Sequence, residues 1–128
     1  MTYYSQANQD KWVCEFLNFK QNGFYLDIGA YDGIQTSNTF VLEKDLNWSG
    51  ICVEANSEVF NTLSLNRKSK NLNLAVLDYK GYCSFYGDSV RNDNIGNLTP
   101  CDTLNNILEQ NDAPSIIDYM SIDIEGSE

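Results

Sequence analysis

The sequence contains no histidine. Serine–histidine–acid and cysteine–histidine nucleophilic machinery are therefore excluded, and any general base must be Asp, Glu, Lys, Tyr or a metal-bound species. Basic residues are scarce as well: 8 Lys and Arg stand against 18 Asp and Glu, a formal net charge of -10. A surface of that sign repels phosphate backbones and anionic lipid, so neither nucleic acid nor a membrane is an expected partner. A neutral, polar or cationic ligand suits it better. No apolar run approaches the roughly 20 residues that span a bilayer. The start, Met1-Thr2-Tyr3-Tyr4-Ser5-Gln6, lacks the basic and apolar regions of a signal peptide, and a cytoplasmic location is expected. The cysteines Cys14, Cys52, Cys83 and Cys101 form no C-x-x-C pair. Reduced, mostly buried thiols are the expectation, and a zinc site without histidine would need an uncommon ligand set.

What is present is a pattern of short helices alternating with short apolar strands. Apolar residues at Trp12, Val13, Phe16, Leu17 and Phe19 predict a helix over 9–19 that Ser5 or Asn8 can cap, ended by Gln21-Asn22-Gly23. Phe24 to Ile28 reads as a strand, and a second helix bearing Phe40, Val41, Leu42 and Leu46 can be capped by Thr36 or Ser37. A second strand covers 51–54. A third helix capped by Ser57 follows, with Val59, Phe60, Leu63 and Leu65 on its apolar side, and then a third strand over 72–76. The alternation in 81–87 suits an antiparallel or edge strand, and 88–102 reads as a polar loop. A short helix over 103–110 and a strand over 116–124 complete the chain. Strands alternating with helices imply an α/β fold, a Rossmann-like, doubly wound and mostly parallel sheet.

In such a sheet ligands bind outside the carboxyl ends of the strands, where the strand order reverses. The turn after the first strand reads Asp27-Ile28-Gly29-Ala30-Tyr31-Asp32-Gly33. A dinucleotide fold places G-x-G-x-x-G here so that its second glycine can lie against the pyrophosphate, and Tyr31 occupies that position. S-adenosylmethionine carries no phosphate, and its sulfonium and ammonium groups favour nearby carboxylates such as Asp27 and Asp32. Glu54 closes the second strand 21 positions after Gly33, the spacing at which an acid reaches ribose hydroxyls. A nicotinamide-dependent oxidoreductase and a non-catalytic binding module with this fold are the competing readings.

The chain resembles the FkbM-type methyltransferases. The resemblance rests on Ser5-Gln6 with Gln9-Asp10, the loop from Asp27 to Gly33, Ser37-Asn38-Thr39 with Leu42-Glu43-Lys44, and Gly50-Ile51-Cys52-Val53-Glu54. Asn66-Arg67, Ala75-Val76 and Ser121-Ile122-Asp123-Ile124-Glu125-Gly126 continue it. It implies a class I methyltransferase fold and methyl transfer from S-adenosylmethionine to a hydroxyl oxygen of a sugar or other small acceptor. By that resemblance Asp27, Gly29 and Gly33 line the methionine end and Glu54 holds the ribose; Ala30 and Asp32 of the same loop are further cofactor-binding candidates. Asp78 is a looser candidate for adenine. Methyl transfer chiefly needs the acceptor aligned with the methyl and relieved of its proton. Asp123 is the expected base or acceptor-positioning group, with Glu125 projecting to the same side of the strand in support. The chain then reads as one incomplete domain, a helical segment over 1–23 and a cofactor-binding core over 24–128. The strands that complete the fold are not expected, and the last strand would offer an uncovered edge, which either invites self-association or marks the chain as a piece of a longer protein, the preferred expectation.

Overall fold

The computed structural model of the chain describes residues 1–86, 89–91 and 97–123. The helices are α1 (Gln9–Phe16), α2 (Phe40–Leu46), α3 (Ser57–Asn66) and α4 (Leu104–Gln110). The strands are β1 (Phe24–Ile28), β2 (Ser49–Val53), β3 (Lys70–Leu72), β4 (Ala75–Val76), β5 (Gly81–Tyr86), β6 (Ser89–Arg91), β7 (Asn97–Asp102) and β8 (Tyr119–Ile122). Strands β1 and β2 are almost wholly buried, as expected of central parallel strands covered on both faces. They sit in a parallel sheet of order β3-β2-β1-β8, with Leu26 opposite Ile51 and Met120. On one face Tyr25 and Cys52 pack with Val13, Val41, Leu42 and Trp48 from the α1 and α2 side. On the other, Leu26, Ile28, Ile51 and Val53 pack with Leu104 and Leu108 of α4 and with Ile117. The α/β class and the parallel sheet agree with the sequence reading.

Several boundaries differ, each for a local reason. Helix α1 stops at Phe16 because Asn18 and Phe19 take positive φ. Ser5 caps it: its hydroxyl accepts the Asp10 N–H, while the Asp10 carboxylate accepts the Tyr4 and Ser5 N–H groups. Helix α2 starts only at Phe40, where the Ser37 hydroxyl accepts the Thr39 and Phe40 N–H groups. In α3 the cap is Asn56 rather than Ser57, and Leu65 points to solvent at 88% exposure. The single strand expected over 72–76 is two strands in two sheets. Asn73 donates its side-chain amide to the Glu54 and Ala55 carbonyls and turns the chain out of the parallel sheet. Part of the polar loop expected over 88–102 is β6 and β7, which join β4 and β5 in a second sheet of order β4-β7-β5-β6. Strand pairing there needs only one apolar face, with Cys101 packed on Ala75 and Cys83, and so overrides the weak local propensity. Strand β8 is shorter than expected, since Ile116 is exposed and pairing begins only after Asp118 engages β1. Among the described residues β8 pairs with β1 alone, leaving its outer edge uncovered with Met120 and Ile122 partly exposed. No described helix is long and apolar enough to cross a membrane.

Candidate active site

The strand order reverses between β1 and β8, since β2 and β3 lie to one side of β1 and β8 to the other. A crevice at the carboxyl ends of those two strands is where this topology binds ligands. The hollow there is lined by Asp27, Gly29 and Ala30 at the end of β1, by Gln35, Thr36, Ser37 and Asn38, and by Ser121 and Asp123 at the end of β8. Its enclosed part is small, about 20 Å³. A larger hollow of about 410 Å³ lies at the amino ends, lined by Phe24, Ser49, Gly50, Lys68 and Lys70. Topology rather than size selects the site, because only the carboxyl ends hold the glycine loop and converging carboxylates.

The loop is held tightly from both sides. The Gly29 and Ala30 N–H groups donate to the Val53 carbonyl at 2.8 and 3.1 Å, folding the turn over the end of β2. Gly29 and Gly33 have φ of 81° and 87°, a region in which a side chain is strained, and Tyr31 joins them at 55°. The Glu54 carboxylate accepts the Tyr31 N–H through one oxygen and the Asn56 N–H through the other. Each oxygen keeps a lone-pair direction, enough for two hydroxyls. Asp32 serves the loop itself: its Oδ1 accepts the Ile34 and Gln35 N–H groups, and its carbonyl accepts the Asn66 amide.

Asp27 is buried, 3% exposed, and accepts a 2.6 Å hydrogen bond from the Thr39 hydroxyl. Burial pushes its carboxyl above the ordinary range, with the Thr39 hydrogen bond and the Arg67 charge pulling the other way. Behind Thr39 stands Arg67, itself 4% exposed. Its guanidinium donates to the Thr39 hydroxyl at 3.0 Å, the Gly33 carbonyl at 3.0 Å and the Glu43 carboxylate at 3.1 Å. It also lies over the Tyr25 and Phe40 rings. Across the hollow the Ser5 hydroxyl donates to Asn38, whose amide donates to the Ser121 hydroxyl, so the N-terminal segment is tied through α2's approach to β8. The Asp123 side chain stays exposed while its N–H is fixed by the Ile28 carbonyl at 2.8 Å.

Of the residues singled out from sequence, Asp27, Gly29, Ala30 and Asp123 line the hollow, while Asp32, Gly33 and Glu54 build the loop beside it. Asp78 does not line it and lies exposed in the turn between β4 and β5, one residue past Leu77. Glu125 lies outside the described residues. Sequence reasoning assigned no role to Thr39, Arg67, Asn38 or Ser121. The Ser37-Asn38-Thr39, Asn66-Arg67 and Ser121 blocks did carry part of the family resemblance, which was the available signal.

The methyltransferase FkbM domain matches residues 27–128, from the first carboxylate of the loop onward. The chain belongs to the FkbM methyltransferase family. No curated protein and no solved structure matches it. Membership makes this an enzyme family with a Rossmann-like fold and implies methyl transfer that depends on S-adenosylmethionine. The residues fit such a cofactor. A buried carboxylate with no direct cation partner among the described residues suits its positive groups. The remaining acceptor capacity of Glu54 suits a ribose diol, and Gly29 and Ala30 leave room for close approach.

Proposed function

We propose that this chain transfers a methyl group from S-adenosylmethionine to a hydroxyl oxygen of a sugar or other small polar acceptor. The methionine end would lie along Asp27, Gly29 and Ala30, and the ribose on Glu54. Asp32 and Gly33 shape the loop that receives them, and Asp78 remains the candidate nearest the adenine. The cofactor, when bound, supplies a methyl already activated by its sulfonium and leaves as S-adenosylhomocysteine.

The observation that carries the reading is a pair of carboxylates on one hollow in different states. Asp27 is buried and receives the Thr39 hydroxyl on one oxygen, whereas Asp123 is exposed on the opposite wall. Asp123 is thus free to accept the acceptor's hydroxyl proton while the oxygen lone pair forms the bond to the methyl carbon. Positioning does most of the remaining work, since the methyl needs no further activation. Glu125 is assigned a supporting part in holding the acceptor.

The test is Asp123→Asn, assayed by S-adenosylhomocysteine release with a panel of simple sugars and glycan precursors. Loss of the base lowers kcat by about 10²–10⁴-fold. Calorimetric affinity for S-adenosylhomocysteine should stay within about threefold of wild type, because Asp123 is not assigned to the cofactor. Retained turnover, or lost binding of S-adenosylhomocysteine, would refute the assignment.

A further inference from the structure

We propose that Arg67 is a positioning residue for the cofactor: through Gly33 and Thr39 it holds the glycine loop and the Asp27 carboxylate in register with each other. This rests on the reading of the hollow as the cofactor's site. Arg67 follows α3 and among the described residues makes no hydrogen bond to Ser121 or Asp123 on the far wall of the hollow, yet it donates to the lining Ser37 hydroxyl at 3.4 Å and joins the glycine loop to Thr39 on the near side. One nitrogen donates to the Gly33 carbonyl, which ends the loop, and another to the Thr39 hydroxyl, which in turn donates to Asp27. The side chain cannot shift easily. Its charge is paired with Glu43, its plane lies over Tyr25 and Phe40, and Glu43 also receives the Tyr25 hydroxyl. A Cβ at Gly33 would lie 2.5 Å from Arg67 Cγ, so loop and arginine are in full contact.

The interposed hydroxyl is the informative part. An arginine placed directly on Asp27 would satisfy that carboxylate and leave nothing for a cationic ligand. Here the direct ion pair is made with Glu43, and among the described residues Asp27 receives only the hydroxyl of Thr39. Arg67 therefore orients Asp27 and tempers its charge without consuming it. The other titratable groups facing Asp27 are Cys52 from β2, Glu54 past its end, Tyr119 from β8 and Asp123 past its end. Asp123 and Glu54 oppose ionisation of Asp27, and Arg67 and Thr39 are what favour it. A merely structural arginine would alter stability alone. A positioning one also sets the pH at which the site accepts a cation.

The full chain, in wild-type form and as Thr39→Val, Arg67→Gln and Arg67→Lys, is titrated calorimetrically with S-adenosylhomocysteine. The titrations run between about pH 5 and about pH 8, the span above the ordinary carboxylate value. Wild-type affinity should rise with pH as Asp27 ionises and pairs with the ligand ammonium. In T39V the same rise is displaced to higher pH, since Asp27 loses its only hydroxyl donor. In R67Q the affinity is also roughly tenfold or more weaker throughout, because the charge-assisted hydrogen bonds to the Gly33 carbonyl and the Thr39 hydroxyl are gone. R67K restores the position of the rise but not the affinity, because an ammonium lacks the planar fork that spans Gly33 and Thr39. If R67Q does not fold, T39V carries the test. A folded T39V with unchanged affinity and unchanged pH profile overturns the proposal. A folded wild type that does not bind S-adenosylhomocysteine overturns the cofactor reading itself, and the proposal with it.

Discussion

Replacing Gly33 with alanine tests the geometry of the loop more sharply than any charge change. Gly33 holds φ at 87°, and the added Cβ would meet Arg67 Cγ at 2.5 Å and Leu63 Cδ1 at 2.8 Å. The backbone conformation alone costs about 1–2 kcal/mol for a residue with a side chain. The contact cost depends on whether the neighbours can give way. Arg67 is fixed at its far end by Gly33, Thr39 and Glu43, and Leu63 is fully buried, so neither has a cheap escape. Overpacking of this kind adds about 1–3 kcal/mol. The sum, about 3 kcal/mol, is a large part of the roughly 5–15 kcal/mol that a domain commands. Urea unfolding measures it, with Trp48 as reporter: that ring is buried against Gly23 and its indole N–H donates to the Lys20 carbonyl. With m near 1.5 kcal/mol/M, a value of about that order for a chain of this size, the midpoint should fall by about 2 M. A folded G33A whose midpoint moves by less than about 0.5 M, a change of under about 1 kcal/mol, would refute the close contact of loop and arginine.

Two further outcomes follow from groups away from the loop. Asp118 is held below the ordinary carboxylate range by the hydrogen bond from Lys20 and the Phe24 N–H. Its contribution to stability is thus present above the unfolded value of about 3.9 and is lost as pH falls through the lower folded value. Lys20 is about half exposed, so Asp118→Ala should cost only about 1 kcal/mol at neutral pH, mostly from the Phe24 contact. The acid side of its stability profile should also flatten, as read by unfolding midpoints between about pH 3 and about pH 7. All four cysteines are buried and free, and burial pushes Cys52 up to about 12 and Cys83 to about 11. Labelling by an aromatic disulfide at about pH 8 should therefore be slow in the native protein and complete on unfolding; rapid modification of Cys52 would contradict its burial.

The parts of the fold legible in sequence were those in which local pattern and tertiary environment agree. Phe24 to Ile28 is apolar because β1 is covered on both faces, and its register with β2 and β8 follows from the parallel topology. Leu104, Ile107 and Leu108 recur at helical spacing, and α4 forms there over Leu104–Gln110, with Thr103, read from sequence as the first helical residue, serving as its cap. The second sheet was illegible because β7 carries Asn97, Thr99, Pro100 and Asp102, a composition that reads as loop until β5 and β4 flank it. Asn73 hid the split between β3 and β4 for a similar reason, since its turn is fixed by carbonyls from the end of β2. Arg67 was the largest omission in the site. A lone arginine after a helix looks like a solvated charge, and only the fold places it under the loop with Glu43 and Thr39 for company.

The acids of the site show why motif spacing finds positions more readily than roles. Asp27, Asp32, Glu54 and Asp123 all stand at or just beyond the ends of parallel strands, and by spacing alone each could meet a cationic ligand. Their hydrogen bonds divide them. Asp32 uses one oxygen on two N–H groups of its own turn, so its charge is largely spent on local backbone. Glu54 spends one lone pair of each oxygen on the loop and on the start of α3, which fixes its plane and leaves a diol-sized face. Asp27 is desolvated and meets only a hydroxyl, the condition under which a carboxylate gains most from an incoming cation. Asp123 is the one acid of the set on the hollow's wall with its side chain in solvent, and a proton acceptor that must meet successive substrates needs that access. On the proposed reading, the four acids at strand ends would divide into turn former, diol holder, cation partner and base. That division follows from what each oxygen already touches, which spacing does not encode.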